Sequence, residues 1–226
     1  MEQVKFKSIA IDGPSASGKS TIAKILAKKL GFLYIDTGAM YRAFTLACIK
    51  RNIDCTKEEE CEKLIGKIKI WFNKENHVTV DDEDVEQLIR QNDVANNVSY
   101  IASYKNIRLY LVSLQRELAE NENVIMDGRD IGTYVLPNAD VKIYQLADVS
   151  ERAQRRYLEN IEKGIETTYE ECLNNLNKRD YIDSHRSFCP LKPAKDSIQI
   201  NTTFMDIEEV IVYIMKILKE RGIING

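Results

Sequence analysis

The run Gly13-Pro14-Ser15-Ala16-Ser17-Gly18-Lys19-Ser20 satisfies G-x-x-x-x-G-K-[ST] at every fixed position. Ser8-Ile9-Ala10-Ile11-Asp12 before it is short and apolar enough to be a buried strand. Behind it, from Thr21 to Leu30, Ile22, Ile25, Leu26 and Leu30 fall on one helical stripe. The motif therefore sits between a strand and a helix, the context in which it can cradle a polyphosphate. Its glycines let backbone N–H groups turn inward, and the helix start adds partial positive charge. Lys19 is placed to reach the β- and γ-phosphates, and the Ser20 hydroxyl to ligate Mg²⁺. Gly13 to Thr21 is read as the ATP-binding segment. An ordinary glycine-rich turn with a solvated lysine is the bland alternative, and the flanking elements speak against it.

The rest of the chain alternates. Phe32–Ile35 predicts a second strand delivering Asp36-Thr37-Gly38, and 39–51 a helix. A further helix is expected over 56–67. Ile68, Ile70 and Phe72 then alternate with Lys67, Lys69 and Trp71, and His77–Val80 returns after a turn, with another short strand beyond the acidic 81–84. Residues 89–104 are mixed and polar, 106–120 helical. Val124-Ile125-Met126 and Val141–Leu146 are buried strands, helices are expected over 150–163 and 169–178 about Gly164, and a last strand covers 197–200. A D-x-x-E capping box, Asp206 and Glu209, opens the final helix. Five apolar strands alternating with helices predict an α/β fold: a doubly wound parallel sheet of the P-loop NTPase type, with helices on both faces. The hairpin breaks that alternation, so 66–100 reads as an inserted subdomain. Residues 1–65 and 101–226 form the core, with a lid over about 150–190.

In such sheets ligands bind beyond the carboxyl ends of the strands, where Asp36, Asp127, Arg129 and Asp130 fall. Arginines gather at these ends: Arg42, Arg108, Arg129, then Arg152, Arg155 and Arg156 on one helix, and Arg179 and Arg186 with Asp183 past the next. Guanidinium groups grip phosphate oxygens in pairs, so the pattern points to phosphoryl transfer onto an acceptor that is itself phosphorylated. Taken singly, each of them is more often a solvated surface charge, and it is their gathering in a P-loop protein that favours the phosphate reading.

Net charge is −3, which gives no reason to invoke nucleic acid or an anionic membrane. Five scattered cysteines without C-x-x-C read as reduced thiols, and two histidines make a zinc centre improbable. The charged start runs straight into the first strand, leaving no room for a signal peptide, so a cytoplasmic protein is expected.

Ile9-Ala10-Ile11-Asp12-Gly13-Pro14, Asp36-Thr37-Gly38-Ala39-Met40-Tyr41-Arg42, and Asp127-Gly128-Arg129-Asp130-Ile131-Gly132-Thr133 resemble bacterial cytidylate kinase, the (d)CMP kinase family. Arg179-Asp180, Asp183, Arg186 and Pro190-Leu191 match its late motif, and the resemblance runs from about residue 8 to 220, insertion included. The family implies MgATP as donor and CMP or dCMP as acceptor. Thr37, Tyr41, Arg42 and Arg129 are then similar to residues that hold the CMP phosphate. Ser99, Arg108, Asp130 and Arg186 are similar to its cytosine-reading residues, and Arg179 and Asp183 to those near the sugar. Arg155 and Arg156 resemble lid arginines, so Lys19, Arg129, Arg155, Arg156 and Arg179 form the implied catalytic set. Asp127, at a strand end beside Gly128, is preferred to Asp36 as the carboxylate that orients water on Mg²⁺. The family expectation is a monomer. Thr37 stands where serine is commoner, and Asn201-Thr202-Thr203 where an aspartate is expected.

Two other readings compete. A P-loop kinase for UMP or a shikimate-like acceptor would share the loop and lid but not the acceptor pocket. A regulatory GTPase would use Asn177-Lys178-Arg179-Asp180 as N-K-x-D, yet no glycine has an aspartate three residues before it.

Overall fold

The computed structural model describes residues 6–224. Its elements run β1 (Ser8–Asp12), α1 (Lys19–Leu30), β2 (Leu33–Asp36), α2 (Thr37–Lys50), α3 (Glu58–Glu62), β3 (Ile70–Phe72), β4 (Val78–Val80), β5 (Glu83–Asp84), α4 (Asn92–Ile101) and α5 (Lys105–Ala119). There follow β6 (Val124–Gly128), β7 (Val141–Leu146), α6 (Val149–Glu162), α7 (Tyr169–His185), β8 (Ile198–Asn201) and α8 (Ile207–Glu220). Two compact units emerge: one runs through Tyr34 and resumes at Glu122, the other is Ile35–Asn121.

In the first unit β1 is the centre of a five-stranded sheet ordered β2-β6-β1-β7-β8. It lies parallel to β6 and β7, and β7 parallel to β8. Ile9, Ile11, Ile125, Val141 and Ile143 project from these strands into a core with Ile22, Ala23 and Leu26 of α1 and Val210, Ile211, Ile214 and Leu218 of α8. The apolar stripes of both helices are thus spent on one sheet face. Asp206 and Glu209 close the expected capping box at the start of α8. α6 ends in Gly164, whose φ of +69° suits glycine, and Ile165 N–H returns to the Asn160 carbonyl. α7 restarts with a second capping box, Thr168 and Glu171, and runs on to His185. Arg179 and Asp183 therefore lie within this helix, not past its end as the expected stop at 178 required. Residues 179–185 carry no breaker to stop it.

The second unit is built on α2, whose Met40, Ala43, Phe44, Ala47 and Cys48 are buried with Ile70, Val78, Ile89, Val94, Ile101, Ile107 and Leu111. It contains residues 66–100, folded as an antiparallel β3-β4-β5 sheet, a 3₁₀ turn at Leu88–Arg90 and most of α4. Asp81 and Asp82, at φ +52° and +66°, make the two-residue turn into β5. The helix expected over 56–67 is only α3, because Cys61 and Leu64 turn inward and Gly66, at φ +71°, ends the run. Conversely the polar stretch 89–104 contains a helix, α4, on which Val94, Val98 and Ile101 are a sufficient apolar face. Among the described residues no helix is long and apolar enough to cross a membrane.

Candidate active site

β1 ends in Asp12 and the phosphate loop begins at once. A Cβ at Gly13 would stand 2.3 Å from the Gln145 carbonyl oxygen, so only glycine fits beside β7. Two residues of the loop are left-handed, Ala16 at φ +58° and Gly18 at φ +89°. The first of these is an alanine in a region that favours glycine, held there by its surroundings at some cost in backbone strain. Alternating conformations of this kind aim successive N–H groups into one concavity. α1 starts at Lys19 with no side-chain cap from Gly18, so its first N–H groups point at whatever fills the loop. Ser17 Oγ is buried without a hydrogen-bond partner, and Lys19 Nζ donates to the Pro14 carbonyl at 3.2 Å. Left-handed turns that aim amides inward, a helix start without a side-chain cap and an ammonium beside them fit a polyphosphate.

Asp127 ends the apolar part of β6. Its Oδ2 accepts from Ser20 Oγ at 2.7 Å and its Oδ1 from Tyr34 OH at 2.7 Å. A hydroxyl and a carboxylate together are a hard-oxygen donor set, suited to Mg²⁺ and its waters. Asp36 has other duties: it accepts from Ala39 N–H as the α2 cap and pairs with Arg42 at 2.9 Å. Asp12 is fully buried, accepting from Ile131 N–H and Gly132 N–H at 2.8 Å each. Burial pushes its carboxyl up to about 7, against the pull of those two amides and of Lys19.

Four arginines of this unit are laced to acids or carbonyls. Arg129 Nε donates to Asp183 at 2.8 Å, and Arg186 donates to Asp130 at 3.1 Å, all four side chains largely buried. Burial works against the charge on Asp183, but Arg129, Arg186 and Arg179 outweigh it and hold its carboxyl below the ordinary value. Asp183 thus pairs with Arg129, not with Arg186 one turn along its own helix. The Arg186 side chain also holds the Cys189 carbonyl at 2.6 Å, fixing a loop in which Cys189 is left-handed at φ +53°. Arg155 donates to the carbonyls of Thr202 and Thr203 at 3.2 and 3.3 Å, while Arg156 faces Glu159 on its own helix. Asn201 accepts from Thr203 N–H and Oγ1, so an amide closes the turn where an aspartate was expected.

In the second unit, Thr37 and Tyr41 are buried on the first turns of α2, and the Arg108 guanidinium lies over the Tyr41 ring at 5.2 Å. Arg108 is 1 % exposed and donates to the Ala102 carbonyl at 2.9 Å. A guanidinium this deep and stacked on a ring is no solvated surface charge. Ser99 is half-buried on α4, inside the helix and not at its cap.

The family model for cytidylate kinase matches residues 9–220. A cytidylate kinase of Ligilactobacillus salivarius is 49% identical over 222 residues, 97% of this chain and 99% of the relative. That of Leuconostoc mesenteroides subsp. mesenteroides is 50% identical over 214 residues, 93% and 96% of the two chains. The chain belongs to the cytidylate kinase family. Among solved structures, an uncharacterized protein from Eubacterium ventriosum aligns with a TM-score of 0.52 at 17% identity, over 96% of this chain and 99% of its own, a likeness of fold alone.

Within this cytidylate kinase fold four positioning groups have no role assigned from the sequence, although Arg152 is counted among the clustered arginines. Arg152, 5 % exposed, donates to the Ala147 and Ser15 carbonyls at 2.9 Å and pairs with Asp180 at 2.7 Å, bracing the phosphate loop against α6 and α7. Gln145 Nε2 donates to the Ser17 carbonyl at 2.5 Å. Tyr34 and Asp12 act as described above. Gln145 and Tyr34 lie in strands the sequence read only as apolar; a polar side chain in a run buried on both faces was the available signal.

Proposed function

We propose that this protein transfers the γ-phosphoryl group of ATP to CMP and dCMP, giving ADP with CDP or dCDP. The observation that carries the reading is the match to cytidylate kinases over nearly the whole chain, with the phosphate loop and the buried Arg129–Asp183 pair in place. UMP, a shikimate-like acceptor and a regulatory GTPase role are not favoured by that match.

Gly13 to Thr21 take the triphosphate, with Lys19 against the β- and γ-phosphates. Ser20 and Asp127 would hold Mg²⁺, directly and through water, and the ion supplies charge neutralisation and orientation of the donor phosphates. A CMP phosphate oxygen forms the new bond to the γ-phosphorus, while the bond from that phosphorus to the β,γ-bridging oxygen breaks and its electron pair leaves with ADP. The attacking oxygen is already anionic, so no strong base is required. Lys19, Arg129, Arg155, Arg156 and Arg179 neutralise charge shared among the phosphates. Thr37, Tyr41, Arg42 and Arg129 receive the CMP phosphate. Ser99, Arg108, Asp130 and Arg186 read cytosine, whose N4 amino group donates to a carboxylate, and Arg179 and Asp183 serve the sugar. Residues 66–100 are an inserted segment on the CMP side, and 150–190 a lid that turns at Gly164 to exclude water. The enzyme works in the cytoplasm as a monomer. Its test is product analysis with MgATP and CMP: ADP and CDP form in equal amounts, and Lys19→Ala abolishes both. Near-normal kcat in that variant removes the phosphate loop from the mechanism.

A further inference from the structure

Asp127-Gly128-Arg129-Asp130 runs into a π-helical turn, Ile131–Val135. The first N–H groups of any helical turn lack partners within it. Here Tyr134 and Val135 N–H return to the Asp130 carbonyl, and Leu136 N–H to that of Ile131, which leaves the amides of Ile131 and Gly132 to be satisfied from outside. Both are buried, so water cannot do it. The acceptor comes from Asp12, more than a hundred residues earlier: Oδ1 takes Ile131 N–H and Oδ2 takes Gly132 N–H, each at 2.8 Å. The fit is close, since a Cβ on Gly132 would stand 3.4 Å from Asp12 Oδ2 and 3.1 Å from the Lys142 side chain.

The geometry points to Asp12 as a positioning residue that fixes the acceptor arginines to the strand feeding the phosphate loop. Asp12 is followed immediately by Gly13, and its backbone pairs with Gly128 across the sheet. The turn it caps is flanked by Asp130, which receives Arg186, and it carries Tyr134, whose ring meets Phe188 edge-on at 5.1 Å. Arg129 leaves from the same segment to Asp183. Two carboxylate oxygens thus tie the segment that carries Arg129 and Asp130, and through Asp130 one contact of Arg186, to the strand that feeds the donor loop. Asp12 is not among the residues assigned to either nucleotide; its side chain acts through the turn.

This inference rests on the CMP reading above. Asp12→Asn keeps the volume but offers one carbonyl oxygen to two amides and turns its NH₂ on the other. The Michaelis constant for CMP should rise about tenfold or more, while the dissociation constant of a non-hydrolysable ATP analogue stays within about twofold. A folded variant whose CMP constant moves less than twofold overturns the proposal. Equal weakening of both nucleotides does so too, because it marks a merely structural role. Should the variant fail to fold, hydrogen exchange on the unaltered protein decides: CMP alone should slow the Ile131 and Gly132 amides, and exchange there that CMP leaves unchanged contradicts the inference. If the unaltered protein does not turn over CMP, the functional reading fails first. The tether is then judged by whether Asp12→Asn removes protection at those two amides.

Discussion

Ser20 Oγ and Asp127 Oδ2 are 2.7 Å apart, so the last residue of the phosphate-loop motif and the end of the neighbouring strand share one hydrogen bond. Tyr34 holds the other carboxylate oxygen, leaving Asp127 one orientation. A carboxylate fixed in this way needs no reorganisation to meet a hydrated cation.

Asp127→Asn should therefore raise the Mg²⁺ concentration needed for half-maximal turnover and lower kcat about a hundredfold, close to 2.7 kcal/mol. Tyr34→Phe should shift the Mg²⁺ requirement in the same direction by about tenfold or less, since only an orienting bond is lost. Mg²⁺ titration of both variants checks this; an unchanged requirement in Asp127→Asn would remove that residue from the ion's surroundings.

Arg129 and Asp183 are 17% and 12% exposed, so removing one partner strands the other in a place poor in water. Asp183→Asn should destabilise the protein by about 3 kcal/mol. The sign with pH follows from the carboxyl being held below its ordinary 3.8. The stabilisation is present above that unfolded-state value and disappears as pH falls through the lower folded-state value. Denaturant unfolding of parent and variant should show a constant gap from neutrality down to about pH 4 and a closing gap below it. A gap that closes already between pH 7 and 5 contradicts the assignment.

Cys48, Cys55 and Cys61 are buried together in the second unit, and burial pushes all three thiols up, Cys55 to about 11. Cys172 is buried as well, whereas Cys189 is half-exposed. A thiol-directed disulfide reagent at pH 8 should modify one cysteine of the native protein, Cys189, about a hundredfold faster than the rest, and all five only after unfolding. Peptide mapping of the modified sites reads the outcome; early labelling at Cys48 or Cys61 would mean the second unit opens far more readily than its packing indicates.

The sheet was legible because parallel strands buried on both faces read as unbroken apolar runs, and Ile9, Ile11, Ile125 and Ile143 are such positions. The phosphate loop was legible as a pattern, but the reason for Gly13 was not: it is a clash with a carbonyl on β7, which no local reading contains. The same holds for Asp12 and Tyr34, whose partners lie about a hundred residues away in the chain. α4 was hidden by its polar outer face, and α3 was overextended because helix-favouring charged residues and the inward-facing Cys61 and Leu64 continue the pattern up to Gly66 although the helix itself ends at Glu62. The arginines could be counted from the sequence; their partners could not. Arg129 with Asp183 and Arg186 with Asp130 are pairings set by tertiary structure, not by helical spacing.

The most direct measurement is a panel of CMP, dCMP, UMP and AMP with MgATP, run on the parent protein and on Arg186→Met. The account predicts kcat/KM for CMP and dCMP at least about tenfold above UMP and AMP, a gap of about 1.4 kcal/mol. Arg186→Met largely erases that gap when assayed at a temperature where the variant is folded, its stability being lowered because the buried Asp130 has lost this partner. Equal use of all four monophosphates by the parent, or a value for CMP within about twofold of the parent in Arg186→Met, contradicts it.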